Sequence, residues 1–368
     1  MKILLVAKYF YPIKGGIETV IYETAKCLIK LGHEVTVITV GNKSKEKIDG
    51  IDVIRTPSLL SLSGEPIALG FFNEIMKEDF DICHLQAPNP FQNMMAVSAC
   101  ILKKKPWVIT YQSDIIRFSK IMKIINWLYT NIIQKPFILK MAKKVFASSP
   151  NYLNGSKTIN NLNNTSVLQN GIKIRNVLKK ENQENNILFV GRIIYYKGVA
   201  YLIKAMKEVV KEIPTAKLTI VGDGKLKNEM EKLTKDLKLD KNIQFTGQVS
   251  DDSLQKYYYN SDIFVLPSIY KSEAFGMVQL EAMMHEKPLI STKIKNSGVA
   301  WINKNDISGI TVNPMDHNDL AKAIIKLLKD KQLRKKYGKG GRKRLENYFD
   351  IEKLTKDLIK IYENIITK

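Results

Sequence analysis

The sequence predicts an α/β fold with two domains, each built on a mostly parallel β-sheet. Short apolar runs alternate with longer segments of helical period along nearly the whole chain, and the apolar runs end in polar or glycine-containing loops. The 368 residues, 45% of them hydrophobic, are enough for two separate cores. Apolar runs stay shorter than the about 18 residues of a membrane span, so no spanning segment is expected.

The first predicted domain covers residues 1–178 and contains buried strands separated by helices. One helix is expected to open at Gly15–Glu18 and to run through Leu31, with Gly32 as the stop signal, and another is expected near Ile67–Lys77. The strands are expected at Met1–Ala7, Val35–Val40, Ile51–Arg55, Asp81–Leu85, Trp107–Tyr111, Lys144–Ala147 and Ser166–Leu168.

A polar segment without periodicity, Lys179–Asn185, is the predicted linker to a second domain at residues 186–350. That domain repeats the alternation of strands and helices. Its strands are expected at Ile187–Val190, Leu218–Val221, Ile243–Phe245, Ile263–Leu266 and Leu289–Ser291. Its helices are expected at Val199–Lys211, Leu226–Leu237 and Asp316–Leu328, and a last amphipathic helix follows at Ile351–Ile366.

Cysteine content and the N-terminus favour a cytoplasmic protein. Cys27, Cys83 and Cys100 lie in apolar contexts without metal-ligand spacing, which predicts buried thiols in a reducing compartment. The first strand is not followed by a signal-peptide cleavage pattern.

The net charge of +22 indicates an anionic partner. No nucleic-acid motif occurs and the aromatic residues are not interleaved with the basic runs, so no nucleic acid is expected. Between Asp114 and Glu181 there is no acidic residue, while twelve Lys or Arg fall in that span. The run Lys120–Lys144 alternates lysines with large apolar residues, which suits the surface of an anionic membrane. The alternative is a lysine-rich surface that is simply solvated.

Two carboxylates stand eight positions apart in the stretch Ser272–Met283. The apolar spacing after Met277 predicts a helix, so Glu273 lies just before that helix and Glu281 about two turns along it. The helix start near Gly276 offers backbone N–H groups and the positive end of the dipole, where a diphosphate could bind. The alternative is a pair of solvent-facing glutamates on an ordinary surface helix.

A basic pair follows the first strand of the second domain. Arg192 comes directly after Gly191, and Lys197 precedes Gly198. Ligands bind at the carboxyl ends of strands in open α/β sheets. The planar fork of Arg and the point charge of Lys together suit a diphosphate leaving group.

Together these motifs resemble the retaining nucleotide-sugar glycosyltransferases of family 4. That family shows Gly-Arg, a short gap, Lys-Gly and later Glu-x7-Glu, and all of these are present in order over nearly the whole chain. The resemblance implies the GT-B fold, in which two Rossmann-like domains face a central cleft. It also implies that the last helix, within 351–368, crosses back onto the N-terminal domain.

The resemblance assigns roles to residues of this chain. It implies that Arg192, Lys197 and Glu273 are catalytic, with the two cations on the diphosphate and Glu273 orienting hydroxyls of the transferred sugar. Glu281 would hold the ribose hydroxyls. The further donor-binding residues it implies are Gly16 near the diphosphate, Val249 near the base, and Phe275, Gly276 and Met277.

On the acceptor side the match implies His84, Gln112 and Asp114. His84 is equally compatible with a packed strand-end residue. Many relatives have His where Gln112 stands, and Gln cannot hold a proton near neutral pH. Glu286 also departs from the family, which often has Gly there, so a different helix end with a small stability cost is expected.

The segment Ser297–Asn303 resembles one bacterial subgroup, the mannosyltransferases that extend O-antigen and exopolysaccharide chains. The expected function is therefore retaining transfer of a hexose, mannose from GDP-mannose, to a hydroxyl of a growing, lipid-linked surface polysaccharide. No cofactor and no metal are expected, and the nucleotide-sugar is a substrate. The expected location is cytoplasmic and peripheral on the inner face of the plasma membrane. The alternatives are a UDP-hexose donor on the same fold, or an inactive GT-B protein that binds glycans or anions.

Overall fold

The computed structural model describes residues 1–13, 15–62, 65–115, 120–177 and 185–367. The chain forms two compact units, Met1–Lys173 with Ile351–Lys368, and Ile174–Asp350. The first unit therefore ends at Lys173 rather than at the predicted 178. Most of the predicted linker, residues 179–184, lies outside the described residues.

The first unit is built on a β-sheet with eight strands in its described residues. The strands are β1 (Lys2–Val6), β2 (Glu34–Val40), β3 (Ser44–Ile48), β4 (Ile51–Thr56), β7 (Ile82–Ala87), β8 (Trp107–Tyr111), β9 (Lys144–Ala147) and β10 (Thr165–Val167). They lie in the order β10-β9-β8-β7-β1-β2-β4-β3. Neighbouring strands are parallel except β3 and β4, so the predicted parallel sheet is confirmed.

Strand β3 is present in the structure but was not predicted from the sequence. Its sequence is mostly charged, and it pairs antiparallel with β4 at the sheet edge, where half-exposed polar residues are tolerated. A separate antiparallel pair is formed by β5 (Leu60–Leu62) and β6 (Glu65–Ile67).

The last helix of the chain belongs to the first unit, as predicted. This helix, α13 (Ile351–Ile366), packs against α1 (Gly16–Lys30) and contributes Leu358 and Tyr362 to the apolar core of β1, β2 and α1. The other helices of the unit are α2 (Gly70–Lys77), α3 (Pro90–Leu102), α4 (Lys120–Leu128), a π-helical segment (Tyr129–Leu139) and α5 (Pro150–Gly155).

The second unit has a sheet with six strands in the order β13-β12-β11-β14-β15-β16 within the described chain. They are β11 (Asn186–Val190), β12 (Lys217–Val221), β13 (Ile243–Gly247), β14 (Ile263–Leu266), β15 (Leu289–Thr292) and β16 (Gly309–Val312), and all neighbours are parallel. This is the Rossmann strand order, which reverses direction between β11 and β14.

The helices of the second unit connect these parallel strands, and its core is almost entirely aliphatic. They are α6 (Val199–Glu212), α7 (Lys227–Asp236), α8 (Asp251–Asn260), α9 (Val278–Met284), α10 (Val299–Ile302), α11 (His317–Lys329) and α12 (Lys331–Tyr348).

The expected change at the end of α9 is not observed. Glu286 adopts the left-handed conformation, with φ +53°, that glycine would adopt there. The backbone N–H of Lys287 donates to the Ala282 carbonyl, which closes the helix end in the usual way. The prediction of a different helix end was therefore wrong.

Two further expectations concern the whole chain. Cys27, Cys83 and Cys100 are free and buried, as predicted. Within the described ranges no helix is both long and apolar enough to cross a membrane.

Candidate functional site

The site predicted in the second unit lies where β11 and β14 run side by side. The loop after β11 carries Arg192 and Lys197, and the loop after β14 carries Glu273. The two loops are joined by a backbone hydrogen bond of 2.8 Å from Ile269 N to Tyr196 O. Because the strand order reverses here, the loops diverge and leave room for a ligand at the carboxyl ends of the strands.

Lys197 and Glu273 form a buried ion pair. Lys197 Nζ lies 2.5 Å from Glu273 Oε2, and the two residues are only 8% and 7% exposed. The Ser268 hydroxyl donates to the same carboxylate oxygen at 2.9 Å. Within the described residues the other oxygen, Oε1, has no hydrogen-bond partner. The pair therefore holds Glu273 in one orientation and leaves Oε1 for a further donor.

Gly198 allows the Lys197 loop to lie this close to β14. Its φ is +69°, and a Cβ atom there would lie 2.1 Å from the Pro267 carbonyl oxygen. Any other residue would push the two loops apart and move Lys197 with them.

The start of α9 follows a second glycine with left-handed conformation, Gly276, whose φ is +88°. In the part of the chain that the structure describes, the backbone N–H groups of Gly276, Met277 and Val278 have no hydrogen-bond partner. Phe275 is buried, and its ring contacts Phe349 with the centroids 6.0 Å apart.

Arg192 is exposed and donates to the Tyr196 hydroxyl at 3.1 Å. Lys197 Nζ lies 5.7 Å from the centroid of the same Tyr196 ring. Two exposed aromatic rings, Tyr195 and Tyr270, lie one on each of the two loops, with their centroids 5.8 Å apart. The two cations are thus arranged around one tyrosine.

Glu281 lies close to Tyr258 of α8. It is not among the partners of Glu273, which are Lys197 and Ser268. Its Oε2 atom is buried and has no hydrogen-bond partner among the described residues. Burial raises the pKa of Glu281, the Tyr258 hydroxyl opposes this shift, and the charge of Asp251 adds to it. Val249, half-buried, precedes Asp251 by two positions, so Glu281 lies near the segment predicted to receive the base.

Sequence reasoning did not identify the residues that position Glu273. Besides Ser268, the Ser297 hydroxyl donates to the Glu273 carbonyl oxygen at 2.5 Å, and Gly298 N donates to the Ala274 carbonyl at 2.7 Å. Ser297 lies in the segment that resembles the mannosyltransferase subgroup, which was the available signal. For Ser268 the sequence offers no signal, because a serine after a strand has many ordinary roles.

The remaining predicted residues belong to the first unit. Gly16 is exposed and is the first residue of α1. His84 is buried in β7, and both of its ring nitrogens have partners, the Tyr362 hydroxyl at 2.5 Å and the Thr110 hydroxyl at 2.7 Å. Burial lowers the pKa of His84 to about 3. These contacts favour the packing interpretation over the acceptor-side one.

Gln112 belongs to a buried network of amides. Its Nε2 donates to Gln86 Oε1 at 3.1 Å and to Asn170 Oδ1 at 3.4 Å, and Asn170 Nδ2 donates to Gln112 Oε1 at 3.0 Å. Asp114 Oδ1 accepts from the hydroxyls of Tyr111 at 3.1 Å and Ser156 at 2.6 Å. His84, Gln86 and Gln112 also line one small cavity of about 40 Å³ beneath α13.

Metal-ligand residues are not clustered in the described ranges, since no group of three or more His, Cys, Asp or Glu side chains could hold an ion there.

Comparison with known proteins identifies the general class to which this protein belongs. The model of the glycosyl transferases group 1 matches residues 171–344, and the model of Glycosyltransferase Family 4 matches residues 14–175. Two solved structures share the architecture over essentially their whole lengths. The sucrose-phosphate synthase of Thermosynechococcus elongatus has a TM-score of 0.80 at 22% identity, covering 100% of this chain and 99% of the other. Anabaena HepE, solved with UDP and glucose, has a TM-score of 0.77 at 18% identity, covering 99% and 100%. The fold is GT-B.

Comparison with proteins of similar sequence identifies the family within that class. The O-antigen chain mannosyltransferase C of Escherichia coli is 30% identical over 383 aligned positions, which cover 100% of this chain and 99% of that protein. The D-rhamnosyltransferase WbpZ of Pseudomonas aeruginosa is 28% identical, covering 93% and 90%. The chain belongs to glycosyltransferase family 4.

Proposed function

We propose that this glycosyltransferase moves mannose from GDP-mannose to a hydroxyl of a growing surface polysaccharide, with retention of the anomeric configuration. The observation that carries the proposal is the buried pair of Lys197 and Glu273 at the ends of β11 and β14. The sugar is chosen from the name of the 30% identical O-antigen mannosyltransferase. The nucleotide, GDP, follows only from the subgroup that Ser297–Asn303 resembles. A phosphatidyl-myo-inositol mannosyltransferase at 23% identity is a further relative with that sugar in its name.

Charge accounts for most of the proposed chemistry. As the bond between the anomeric carbon and the phosphate oxygen breaks, the sugar becomes cationic and the diphosphate gains negative charge. Arg192 and Lys197 would stabilise the diphosphate, so a metal is not required in this proposal. Removing one preorganised donor of this kind typically lowers the rate by about 10²–10³. The backbone N–H groups at the start of α9 were also predicted to bind the diphosphate. Because α9 has only 7 residues, the N-terminus of this helix does not by itself define a binding site, and that contribution stays a prediction.

Glu273 would orient the sugar rather than attack it. Its Oε2 is occupied by Lys197 and Ser268, so Oε1 is the oxygen left to accept from a sugar hydroxyl. Glu281 would accept from the ribose hydroxyls through its unpartnered Oε2. The acceptor hydroxyl would attack from the face that the diphosphate leaves, and its proton would pass to the departing phosphate oxygen. Such a step needs no protein base at Gln112.

A lipid-linked acceptor and a peripheral location on the inner face of the plasma membrane complete the proposal. They are supported by the basic span around Lys120–Lys144 and by the relatives that act on O-antigen and phosphatidyl-myo-inositol, according to their names.

Calorimetric titration with GDP and then UDP, both with a chelator present, tests the donor. Tight binding of GDP with weak binding of UDP is expected. The reverse order would move the assignment to a UDP-hexose, and binding of neither would favour the inactive anion-binding alternative.

The variant Lys197→Ala tests the site with Lys204→Ala as its matched control, because Lys204 is exposed on α6 of the same unit. Lys197→Ala is expected to abolish sugar transfer while Lys204→Ala keeps it. Unchanged turnover in Lys197→Ala would refute the proposed site.

A further inference from the structure

An apolar helix face of the first unit points away from the protein. No residue of α4 is buried, and Ile121, Ile124, Ile125 and Leu128 are all exposed. Their spacing of three and four residues places them on one side of the helix, and exposed Ile132 continues the row into the π-helical segment. We call these five residues the α4 face.

The opposite side of the helix makes the contacts with the protein. Asn126 Nδ2 donates to the Ile115 carbonyl at 3.3 Å, and Met122 is half-buried. Tyr129 is turned inward, where burial and the charge of Glu65 raise its pKa. The large apolar residues are therefore on the solvent side, which is the reverse of an ordinary surface helix.

The charges around the α4 face are positive. Lys120, Lys123 and Trp127 are exposed together along one edge of it. The sequence has no acidic residue between Asp114 and Glu181. A row of branched aliphatic side chains edged by lysines and a tryptophan matches the boundary between the acyl chains and the headgroups of an anionic bilayer.

We propose that the α4 face docks this protein on an anionic lipid bilayer, with α4 lying in the plane of the interface. A second copy of the chain fits less well, because a two-fold contact would bring two copies of the same lysine-edged face together, with like charges on both sides. This inference deepens the peripheral location proposed above. It does not depend on the identity of the donor sugar.

Docking through α4 would hold the membrane next to the end of β8. The contact between Asn126 and the Ile115 carbonyl ties α4 to the loop that carries Gln112 and Asp114. A lipid-linked acceptor would then reach the carboxyl edge of the first sheet without leaving the bilayer.

Flotation of the full chain with vesicles tests the proposal without any sugar transfer. Phosphatidylcholine vesicles with and without phosphatidylglycerol are compared. Ile121→Glu is expected to weaken binding by about tenfold or more, since it puts a carboxylate where an aliphatic chain would be buried. Leu60→Glu is the matched control, because Leu60 is 70% exposed on β5 and Ile121 is 69% exposed. It should bind like the parent.

Two further measurements define the contact. Lys120→Gln and Lys123→Gln should each weaken binding to phosphatidylglycerol vesicles by about fivefold and leave binding to pure phosphatidylcholine unchanged. Trp127 is 62% exposed, whereas Trp107 is buried and Trp301 is half-buried. Brominated lipids should therefore quench the fluorescence of the parent but not of Trp127→Phe.

Several outcomes would overturn the inference. Equal vesicle binding by Ile121→Glu and Leu60→Glu would remove the α4 face as the docking surface. Equal binding to neutral and anionic vesicles would remove the charge argument. If the chain instead forms a dimer that Ile121→Glu dissociates, and binds no vesicles, the face is an interface between copies.

Discussion

Replacing Lys197 with methionine keeps most of the side-chain volume but removes the ammonium group that lies 2.5 Å from Glu273. The carboxylate would then be left nearly buried with only the Ser268 hydroxyl on Oε2. Breaking a buried pair by removing one partner typically costs about 3–5 kcal/mol. Because some water reaches both groups, we expect the lower end, about 3 kcal/mol. For a unit of this size that corresponds to a melting temperature lower by about 6–12 °C.

The double variant Lys197→Met with Glu273→Gln separates stability from catalysis. The glutamine has no charge to leave unpaired and still accepts from Ser268, so most of the lost stability should return. Activity should not return, because both the diphosphate cation and the sugar-orienting carboxylate are absent. Each single variant should already lower the rate of transfer by about 10²–10³.

The test uses four proteins: the parent, Lys197→Met, Glu273→Gln and the double variant. Thermal unfolding checks the stability of each, and nucleotide release from GDP-mannose checks its catalysis. The reasoning fails if the double variant regains activity together with stability, because the pair would then be structural only. It also fails if Lys197→Met melts like the parent, since the ion pair would not be formed in solution.

Three further predictions concern single residues. The pKa of Glu281 is raised above its ordinary 4.5 in the folded protein, so the parent should lose stability as pH rises from 4.5 through the raised pKa. The variant Glu281→Gln should remove this pH dependence of the melting temperature. Burial lowers the pKa of His84 from 6.5 to about 3. The stability that neutral His84 contributes is therefore present above pH 6.5 and is lost as pH falls toward 3. The melting temperature of His84→Gln should depend less on pH in that range. Glu286→Gly should raise the stability by up to about 1 kcal/mol, because glycine removes the strain of a left-handed side chain at some cost in backbone entropy; a lower melting temperature would show that contacts of the Glu286 side chain outweigh that strain.

Strands that are buried on both faces are the part of the fold that the sequence predicts well. Trp107–Tyr111 and Lys144–Ala147 have the same bounds in the prediction and in the structure. The sequence does not reveal β3, because Ser44–Ile48 ends in a single apolar residue and exists only through its pairing with β4. The left-handed Glu286 is also hidden, since backbone hydrogen bonds from the following residues decide that conformation.

The candidate site is predictable as a set of residues but not as a set of contacts. The motif places Lys197 and Glu273 in loops after strands, 76 positions apart, yet nothing local states that β11 and β14 are neighbours. That adjacency decides which cation meets which carboxylate. The ring contacts of His84 with Tyr362 depend in the same way on where the last helix lies.

Position 112 illustrates how a departure from the family is accommodated by its surroundings. Each amide carries a donor and an acceptor, so Gln112, Gln86 and Asn170 satisfy one another in a buried place. A histidine ring there would leave at least one of these partners unpaired, at a cost of about 1–3 kcal/mol. None of the three amides can take up a proton near neutral pH. In the proposed mechanism the proton of the acceptor hydroxyl leaves with the diphosphate, so the rate would depend on how well Arg192 and Lys197 stabilise that leaving group.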